Sequence, residues 1–317
     1  MCSRCTNRVG RYTQLAGACG AHKMLALRQA VLCRGRTMAT LTPSAAAVAT
    51  SALRAAHPVR LQSTAAAAGP ASNLLLRQLF DADTFTYTYL VADRRSGEAA
   101  LIDPVIDQVD RDLTLLRDLR LKLKYAVNTH MHADHVTGSG LIKAALPDCQ
   151  SVISAASGAQ ADVLLAPGDR LRVGELELET RATPGHTNGC VTYVLHAAGL
   201  AFTGDAVLIR GCGRTDFQEG DSATLYDSVH SQVFSLPEHF TVLPAHDYHG
   251  LTSSSIAEEK HLNPRLSLPK AEFVKFMEGL KLDYPKRIDE ALPANRACGL
   301  QELSEAHRAL FDRLSTA

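Results

Sequence analysis

The first 70 residues of this chain contain no aspartate and no glutamate, although the full sequence of 317 residues has 33 acidic and 33 basic side chains. Nine of the basic residues lie in that acid-free segment, and the first carboxylate is Asp81. An acid-free stretch rich in Arg, Ser, Thr and Ala is typical of an organelle transit peptide. We therefore predict that residues 1–72 form a disordered leader; the alternative is a basic tail that the mature protein keeps.

Other absences exclude further classes of protein. No run of about 18 uninterrupted apolar residues occurs, so no segment is predicted to span a membrane. The basic excess is confined to the leader and the remainder is acidic, which argues against nucleic-acid binding. The Cys2-x-x-Cys5 motif has no second pair at zinc-finger spacing. The cysteines beyond the leader are widely spaced and are expected to be free thiols: Cys149, Cys190, Cys212 and Cys298.

Residues 128–135 carry the densest group of potential metal ligands. Within six residues the chain places His130, His132, Asp134 and His135. An apolar strand is predicted just before them and a short helix, over 136–146, just after them. Side chains at such a junction are held rigidly and stay open to substrate, so we interpret the segment as a metal-ligand loop. The alternative is a polar surface loop that happens to be rich in histidine.

Three more candidate ligands follow apolar strands later in the chain. His186 stands in a Pro-Gly-His turn, Asp205 in Thr-Gly-Asp, and His246 in Pro-Ala-His. No cysteine joins the set, which argues against iron–sulfur and structural cysteine–zinc sites. The ligands could fill two metal positions bridged by Asp205, or one position supported by hydrogen bonds from the others. The spacing does not choose between them.

The remaining patterns predict alternating strands and a helical tail. Strict alternation over 84–91 predicts a strand that pairs with the apolar run at 74–80. In the tail, Phe273, Phe276, Met277 and Leu280 recur at helical spacing and predict one apolar helix face that packs on the core.

The order HxHxDH, Pro-Gly-His, Thr-Gly-Asp and Pro-Ala-His, within 74–250, resembles the metallo-β-lactamase superfamily. This resemblance implies an α/β fold, the four-layer αβ/βα sandwich, with the metal site along one edge of the facing sheets. Segments 203–218, 243–250 and 263–266 are similar to the persulfide dioxygenases, also called sulfur dioxygenases, of mitochondria. The similarity continues through Pro293-Ala-Asn295 and Cys298-Gly299. We accordingly expect a catalytic domain over 73–254 and a short C-terminal helical extension, packed on it, over 255–317.

The resemblance also implies a ligand set. One Fe(II) per chain is expected on His130, His186 and Asp205, a two-histidine, one-carboxylate triad that leaves three coordination positions open. The side chains expected to surround and support these ligands are His132, Asp134 and His135. Every ligand needed for a two-metal site is nevertheless present in the sequence.

Catalytic and substrate-binding roles are implied for three further residues. Tyr248 is expected to approach the iron-bound ligands, and His246 to support the metal site from beside it. Arg214 is the candidate for substrate binding, directly or by ordering its loop, because a guanidinium suits the two carboxylates of glutathione. A salt bridge that only braces the loop is the alternative. Cys212 is expected to serve packing, with oxidation as a property to test.

The activity implied by the resemblance is oxidation of glutathione persulfide, with O₂ and water, to sulfite and glutathione in sulfide catabolism. A homodimer in the mitochondrial matrix is expected, with a plastid location as the alternative. The second hypothesis is a glyoxalase II-like dinuclear hydrolase of S-acylglutathione thioesters, which shares the ligand loop and a Gly-Cys-Gly-Arg element. Segments 214–218 and 247–250 argue against it. A third hypothesis, a non-catalytic scaffold, predicts eroded ligands, and none is missing.

Overall fold

A computed structural model of the chain describes residues 73–299 and 304–315. The leader predicted over 1–72 lies outside the described residues. Two six-stranded sheets follow one another along the chain. Across the described ranges, no helix combines the length and the apolarity that crossing a membrane requires.

The first sheet keeps its strands in sequence order. Its elements are β1 (Leu74–Phe80), β2 (Tyr87–Asp93), β3 (Glu98–Ile102), α1 (Val109–Asp118), β4 (Lys122–Val127), α2 (Ser139–Ala145), β5 (Gln150–Ser154) and β6 (Val163–Leu165). β1 and β2 form the predicted antiparallel hairpin, and β3 to β6 run parallel. Parallel neighbours need crossover connections, and α1 and α2 supply the first two.

The second sheet is mostly antiparallel. Its elements are β7 (Arg170–Val173), β8 (Leu176–Ala182), β9 (Val191–Leu195), β10 (Leu200–Gly204), α3 (Ser222–Ser228), β11 (Thr241–Pro244) and β12 (Ser254–Ser255). Strands β7 to β10 form a meander, and β11 returns parallel to β10 after α3. The tail consists of α4 (Ile256–Leu262), α5 (Lys270–Glu278), α6 (Ile288–Arg296) and α7 (Glu305–Ser315).

Alternating side chains build three layers of core. In β2, Tyr89 and Val91 point into the cluster between the two sheets, while Leu90 points to the helices outside the first sheet. A third cluster joins the outer face of the second sheet to α3, α4 and α5. Helices therefore cover both outer faces, and the four-layer αβ/βα sandwich is confirmed. Ala294 of α6 and Leu310 of α7 pack on the outer face of the first sheet.

Three local predictions were wrong in detail. The strand predicted over 84–91 begins only at Tyr87, because Phe85 has a φ of 61° and turns the chain. The helix predicted from 136 begins at Ser139. In the apolar tail stripe, Phe273 and Met277 are buried, but Phe276 is 43% exposed and lies beneath the guanidinium of Arg265. Apolar spacing predicted the helix, but it could not show that a basic side chain covers one member of the stripe.

Candidate metal centre

The predicted ligand loop follows β4 directly and has no regular secondary structure over residues 128–136. His130, His132 and His135 are all buried, while Asp134 is partly exposed. His186 follows β8, Asp205 follows β10 and His246 follows β11. These three candidates therefore lie at the carboxyl ends of strands of the second sheet. The seven candidates predicted from the sequence therefore converge.

His130, His186 and Asp205 form one compact group of donors. Their ligand atoms lie within 4.8 Å of one another. The Oδ2 atom of Asp205 is 3.6 Å from Nε2 of His186 and 4.0 Å from Nε2 of His130. Both separations exceed hydrogen-bond length. They suit atoms that share one ion, since metal–ligand bonds of about 2.0–2.2 Å put neighbouring donors roughly 3–4 Å apart.

The Nδ1 atom of each of these two imidazoles has a hydrogen-bond partner. Nδ1 of His186 donates to the carbonyl of Arg214 at 2.6 Å. Nδ1 of His130 lies 2.9 Å from the Thr129 hydroxyl, which itself donates to Asp103. When Nδ1 carries the proton, Nε2 keeps its lone pair for a metal. Burial lowers the pKa of His130 well below its ordinary value, so its imidazole is neutral, which is the form that binds metals.

His132, Asp134 and His135 form a second group of donors, also within 4.8 Å of one another. Among the buried side-chain atoms of the described residues, Nδ1 of His132 and Nε2 of His135 have no hydrogen-bond partner. Buried polar atoms without partners are uncommon, and an ion is one of the groups that satisfies them. The structure, like the sequence, therefore contains donor groups for two metal ions.

His246 joins the two donor groups. Its Nδ1 lies 2.7 Å from Oδ1 of Asp205, and its Nε2 lies 3.0 Å from Oδ2 of Asp134. Burial opposes protonation of this ring, but the two carboxylates outweigh it and raise the pKa of His246 well above its ordinary value. The Asp205 carboxyl is buried too, and His246 holds its pKa well below the usual range. His246 thereby fixes the orientation of Asp205 and leaves Oδ2 facing the two imidazoles.

Asp103 is a site residue that the sequence analysis missed. It is buried at the end of β3, and its φ of 53° is rare for a residue with a side chain. One carboxylate oxygen accepts from the Thr129 amide at 2.7 Å and lies 3.0 Å from Nε2 of His132. Burial opposes protonation of His132, yet Asp103 outweighs it and raises the pKa of that ring. The available signal was an Asp-Pro pair closing a buried strand.

Two further hydrogen-bonding residues at the site were also missed. The amide of Gln218 donates to the carbonyl of Met131, inside the ligand loop, at 2.7 Å. Thr86 is fully buried, and its hydroxyl lies 3.2 Å from Nε2 of His246. Gln218 lies in the segment 214–218 that carries the family resemblance, but its contact with the loop, like that of Thr86 with His246, forms only in the tertiary fold.

Arg214 braces its own loop. Its guanidinium forms a two-pronged pair with Asp216 at 2.7 and 2.8 Å and donates to the carbonyl of Asp283 at 2.8 Å. It also lies over the ring of Phe217, 4.6 Å from the ring centroid. The carbonyl of the same residue orients His186. These contacts tie the guanidinium to its own loop and to the tail, and the role of Arg214 in substrate binding stays a prediction.

A cavity of about 650 Å³ opens beside the donor groups. Its lining includes Asp134, His186, Asp205 and His246 of the donor groups, and Tyr248. The Tyr248 ring is 60% exposed and lies parallel to that of His246, with 6.2 Å between centroids. The lining also includes apolar side chains, further aspartates and five basic residues: Arg210, Arg214, Arg265, Lys286 and Arg287. The volume suits a molecule the size of a tripeptide.

Cys212 borders the cavity but serves packing. Its side chain is buried, and its sulfur lies 3.8 Å from the sulfur of Met277. Burial raises the pKa of the Cys212 thiol to about 11, so the reactive thiolate is scarce at neutral pH.

Comparison with known proteins adds independent findings. Residues 82–246, just over half of the chain, match the family model of the metallo-beta-lactamase superfamily. The chain is 57% identical over 242 residues to persulfide dioxygenase ETHE1, mitochondrial, of Mus musculus, covering 76% of this chain and 94% of that protein. The Homo sapiens protein of the same name is 58% identical over 233 residues, covering 74% and 92%. The crystal structure of ETHE1 from Myxococcus xanthus shares 49% identity with a TM-score of 0.69, covering 71% of this chain and 99% of that one.

Proposed function

This chain belongs to the persulfide dioxygenases of the metallo-beta-lactamase superfamily, and from that premise we propose that it oxidises glutathione persulfide using one Fe(II) per chain. The balanced reaction consumes one O₂ and one water for each persulfide. The outer sulfur leaves as sulfite, glutathione is released as the thiol, and two protons are set free. The reaction belongs to sulfide catabolism.

The proposed iron ligands are His130, His186 and Asp205. The observation that carries this assignment is their convergence within 4.8 Å, together with the partners that hold the outer nitrogen of each histidine. Two imidazoles and one carboxylate are the donor set of non-haem iron oxygenases. Ferrous iron bound there would supply open coordination positions at which the persulfide sulfur and O₂ meet.

The surrounding side chains would hold the ligands in place. His246 orients Asp205, Asp103 orients Thr129 and His132, and the Arg214 carbonyl orients His186. Supporting contacts of this kind raise ligand basicity and keep the ring tautomer fixed. We assign His132, Asp134 and His135 to the same supporting role.

The cavity beside the metal would bind the glutathione part of the substrate. Its lining includes basic side chains suited to the two carboxylates of the tripeptide, and it also includes His186 and Asp205 of the proposed triad. Tyr248 lines the cavity beside His246, where it would approach the reacting sulfur. Arg214 would act mainly by keeping its loop in shape.

One observation favours a second candidate, the glyoxalase II-like dinuclear hydrolase. The group His132, Asp134 and His135 includes two buried nitrogen atoms without partners, as a second metal position would require. A two-metal site would activate water for hydrolysis of S-acylglutathione thioesters.

Metal analysis and oxygen uptake test these alternatives. Protein purified without oxygen should contain close to one iron per chain, consume O₂ on glutathione persulfide and form sulfite. Two zinc ions per chain, with thioester hydrolysis and no oxygen uptake, would transfer the function to the hydrolase.

We propose a mitochondrial matrix location and a homodimer. Relatives with high identity are named as mitochondrial proteins, and the acid-free leader over 1–72 has the composition of a transit peptide. We also propose that residues 73–254 form the catalytic domain and that 255–317 form its helical extension. Import of a reporter fused to residues 1–72 into isolated mitochondria tests the location, and light scattering on the purified protein tests the dimer.

A further inference from the structure

Asn295, near the end of α6, contacts the ligand loop from a place about 160 residues away in the sequence. Its side chain is 5% exposed. Its amide nitrogen donates to the carbonyl of His132 at 2.8 Å and to that of His135 at 2.9 Å. Its amide oxygen accepts from the backbone amide of Thr137 at 2.8 Å. The single side chain thus binds three backbone groups over six residues of the loop.

The orientation of this amide is fixed by its partners. The NH₂ group faces two carbonyls and the oxygen faces an N–H group, so the reverse orientation would set oxygen against oxygen and nitrogen against nitrogen. Three good hydrogen bonds to one buried amide rigidify the backbone they join.

The turn after α6 is fastened to the same part of the loop. Gly299 has a φ of 81°, and a Cβ at that position would lie 2.4 Å from the Thr137 carbonyl. The Arg296 carbonyl accepts from the amide of Gln160 at 2.8 Å, which anchors the turn to the segment after β5. The end of α6 that carries Asn295 is therefore anchored both beside Thr137 and, independently of the loop, to Gln160.

The loop needs such an external partner. Residues 128–136 form neither helix nor strand, so their backbone groups lack the repeating hydrogen bonds that would fix φ and ψ. The two carbonyls bound by Asn295 bracket Asp134 and belong to His132 and His135 themselves. Fixing those carbonyls limits the directions in which the histidine and aspartate side chains leave the backbone.

We propose that Asn295 is a positioning residue of the metal centre: it clamps the ligand loop in the conformation that binds the ion. The inference rests on the proposed metal site and adds to it a residue from the tail, beyond the segment 82–246 that matches the superfamily. It makes the helical extension part of the metal site as well as a cover for the core.

The test is metal affinity in Asn295→Ala, measured with Fe(II) under anaerobic conditions and with Zn(II), each in competition with a chelator. We expect the dissociation constant to rise about 10–100-fold, as it does when other groups that orient metal ligands are removed. We also expect faster hydrogen exchange in the peptide that spans 128–138, which contains the Thr137 amide. Asn295→Asp retains the acceptor for Thr137 but presents a carboxylate to two carbonyls, so it should weaken binding as much.

Two controls separate positioning from general destabilisation. Leu113→Ala truncates a core side chain of α1 in the same outer layer and leaves the three hydrogen bonds of Asn295 in place. His307→Ala removes the contact between α7 and Asp107, 2.8 Å in length, and leaves α6 intact. Both should lower thermal stability and leave metal affinity unchanged.

The possible outcomes are distinct. An Asn295→Ala protein with wild-type metal affinity and loop exchange would overturn the clamp, whatever its melting temperature. If that variant does not fold, Asn295→Asp is judged by the same criteria. Wild-type protein that binds Fe(II) or Zn(II) but consumes no O₂ would refute the proposed function and leave the clamp standing.

Discussion

The Nδ1 atom of His246 lies 2.7 Å from Oδ1 of Asp205, and both side chains are buried. One oxygen of the carboxylate is thereby occupied, and the other faces His130 and His186. The two residues are 41 positions apart, but their strands β10 and β11 are parallel neighbours whose carboxyl ends meet at one edge. The pair therefore sets the direction of the only carboxylate in the proposed iron triad.

Replacing His246 should weaken the metal site without removing a proposed ligand. In His246→Gln the shorter reach of an amide cannot satisfy Asp205 and Asp134 together, so Asp205 loses its fixed orientation. We expect iron affinity to fall about 10–100-fold, measured as iron per chain after anaerobic dialysis against a chelator. His239→Gln, an exposed histidine elsewhere on the surface, is the matched control. Undiminished iron in the His246 variant would mean that the pair has no positioning role.

Asp205→Ala should abolish iron retention, because the triad loses its only carboxylate. Asp205→Asn keeps the shape of the side chain but loses the charge, and we expect it to retain less than roughly a tenth of the wild-type iron. Asp227→Ala, which removes an exposed carboxylate of α3, should keep its full complement. If Asp205→Ala retained iron, another residue would have to be the carboxylate ligand.

The sequence predicted the parts of this site that stand in local patterns. His130, His186 and Asp205 follow apolar runs and lie beside Gly, Pro or Thr residues that end strands, His130 in the first sheet and the other two in the second, so their position at strand ends was predictable. Asp103 was missed because an Asp-Pro pair after a strand is ordinarily a turn. Its function depends on a buried carboxylate and a φ of 53°, neither of which leaves a distinct spacing.

Hydrogen bonds between residues far apart in the chain could not be predicted from the sequence. Asn295 meets the ligand loop only after the chain has completed both sheets and helices α1 to α5, so no periodicity relates the two. Phe276 shows the same limit in packing, since its helical spacing was right and its environment was not. A local sequence pattern predicts which residues share one face of a helix or strand. The tertiary fold determines which other residues pack against that face.

Arg214 and Asp216 should affect substrate affinity in the same direction. If the guanidinium acts by bracing its loop, both Arg214→Ala and Asp216→Ala release that loop from the cavity. We expect KM for glutathione persulfide to rise about tenfold in Arg214→Ala and severalfold in Asp216→Ala. A two-pronged pair contributes on the order of 1 kcal/mol, which corresponds to changes of this size. Arg95→Ala, which removes an exposed ion pair with Glu175 elsewhere, is the control. An unchanged KM in Asp216→Ala would instead assign Arg214 to direct contact with the substrate.

Asp112 offers a test of stability that is independent of the metal. This carboxyl is fully buried in α1, and one of its oxygens, Oδ2, has no hydrogen-bond partner among the described residues. Burial raises its pKa from 3.8 to about 6, outweighing the attraction of Arg111. A carboxyl whose pKa is higher in the folded protein than in the unfolded chain stabilises the fold while it is protonated. That stabilisation is complete below the unfolded pKa and is lost as the pH rises through the folded one.

We therefore expect Asp112→Asn to become more stable relative to the wild type as the pH rises from 4 to 7. A shift of two pKa units corresponds to a gain of up to about 3 kcal/mol, most of it between pH 4 and pH 6. Denaturant unfolding of both proteins at several pH values measures the difference in their free energies of unfolding. The contributions of all other carboxylates cancel in this difference. Asp110→Asn, an exposed neighbour on the same helix, should give a nearly flat difference. A flat profile for Asp112→Asn as well would mean that water or Arg111 keeps the buried carboxylate charged at low pH without cost.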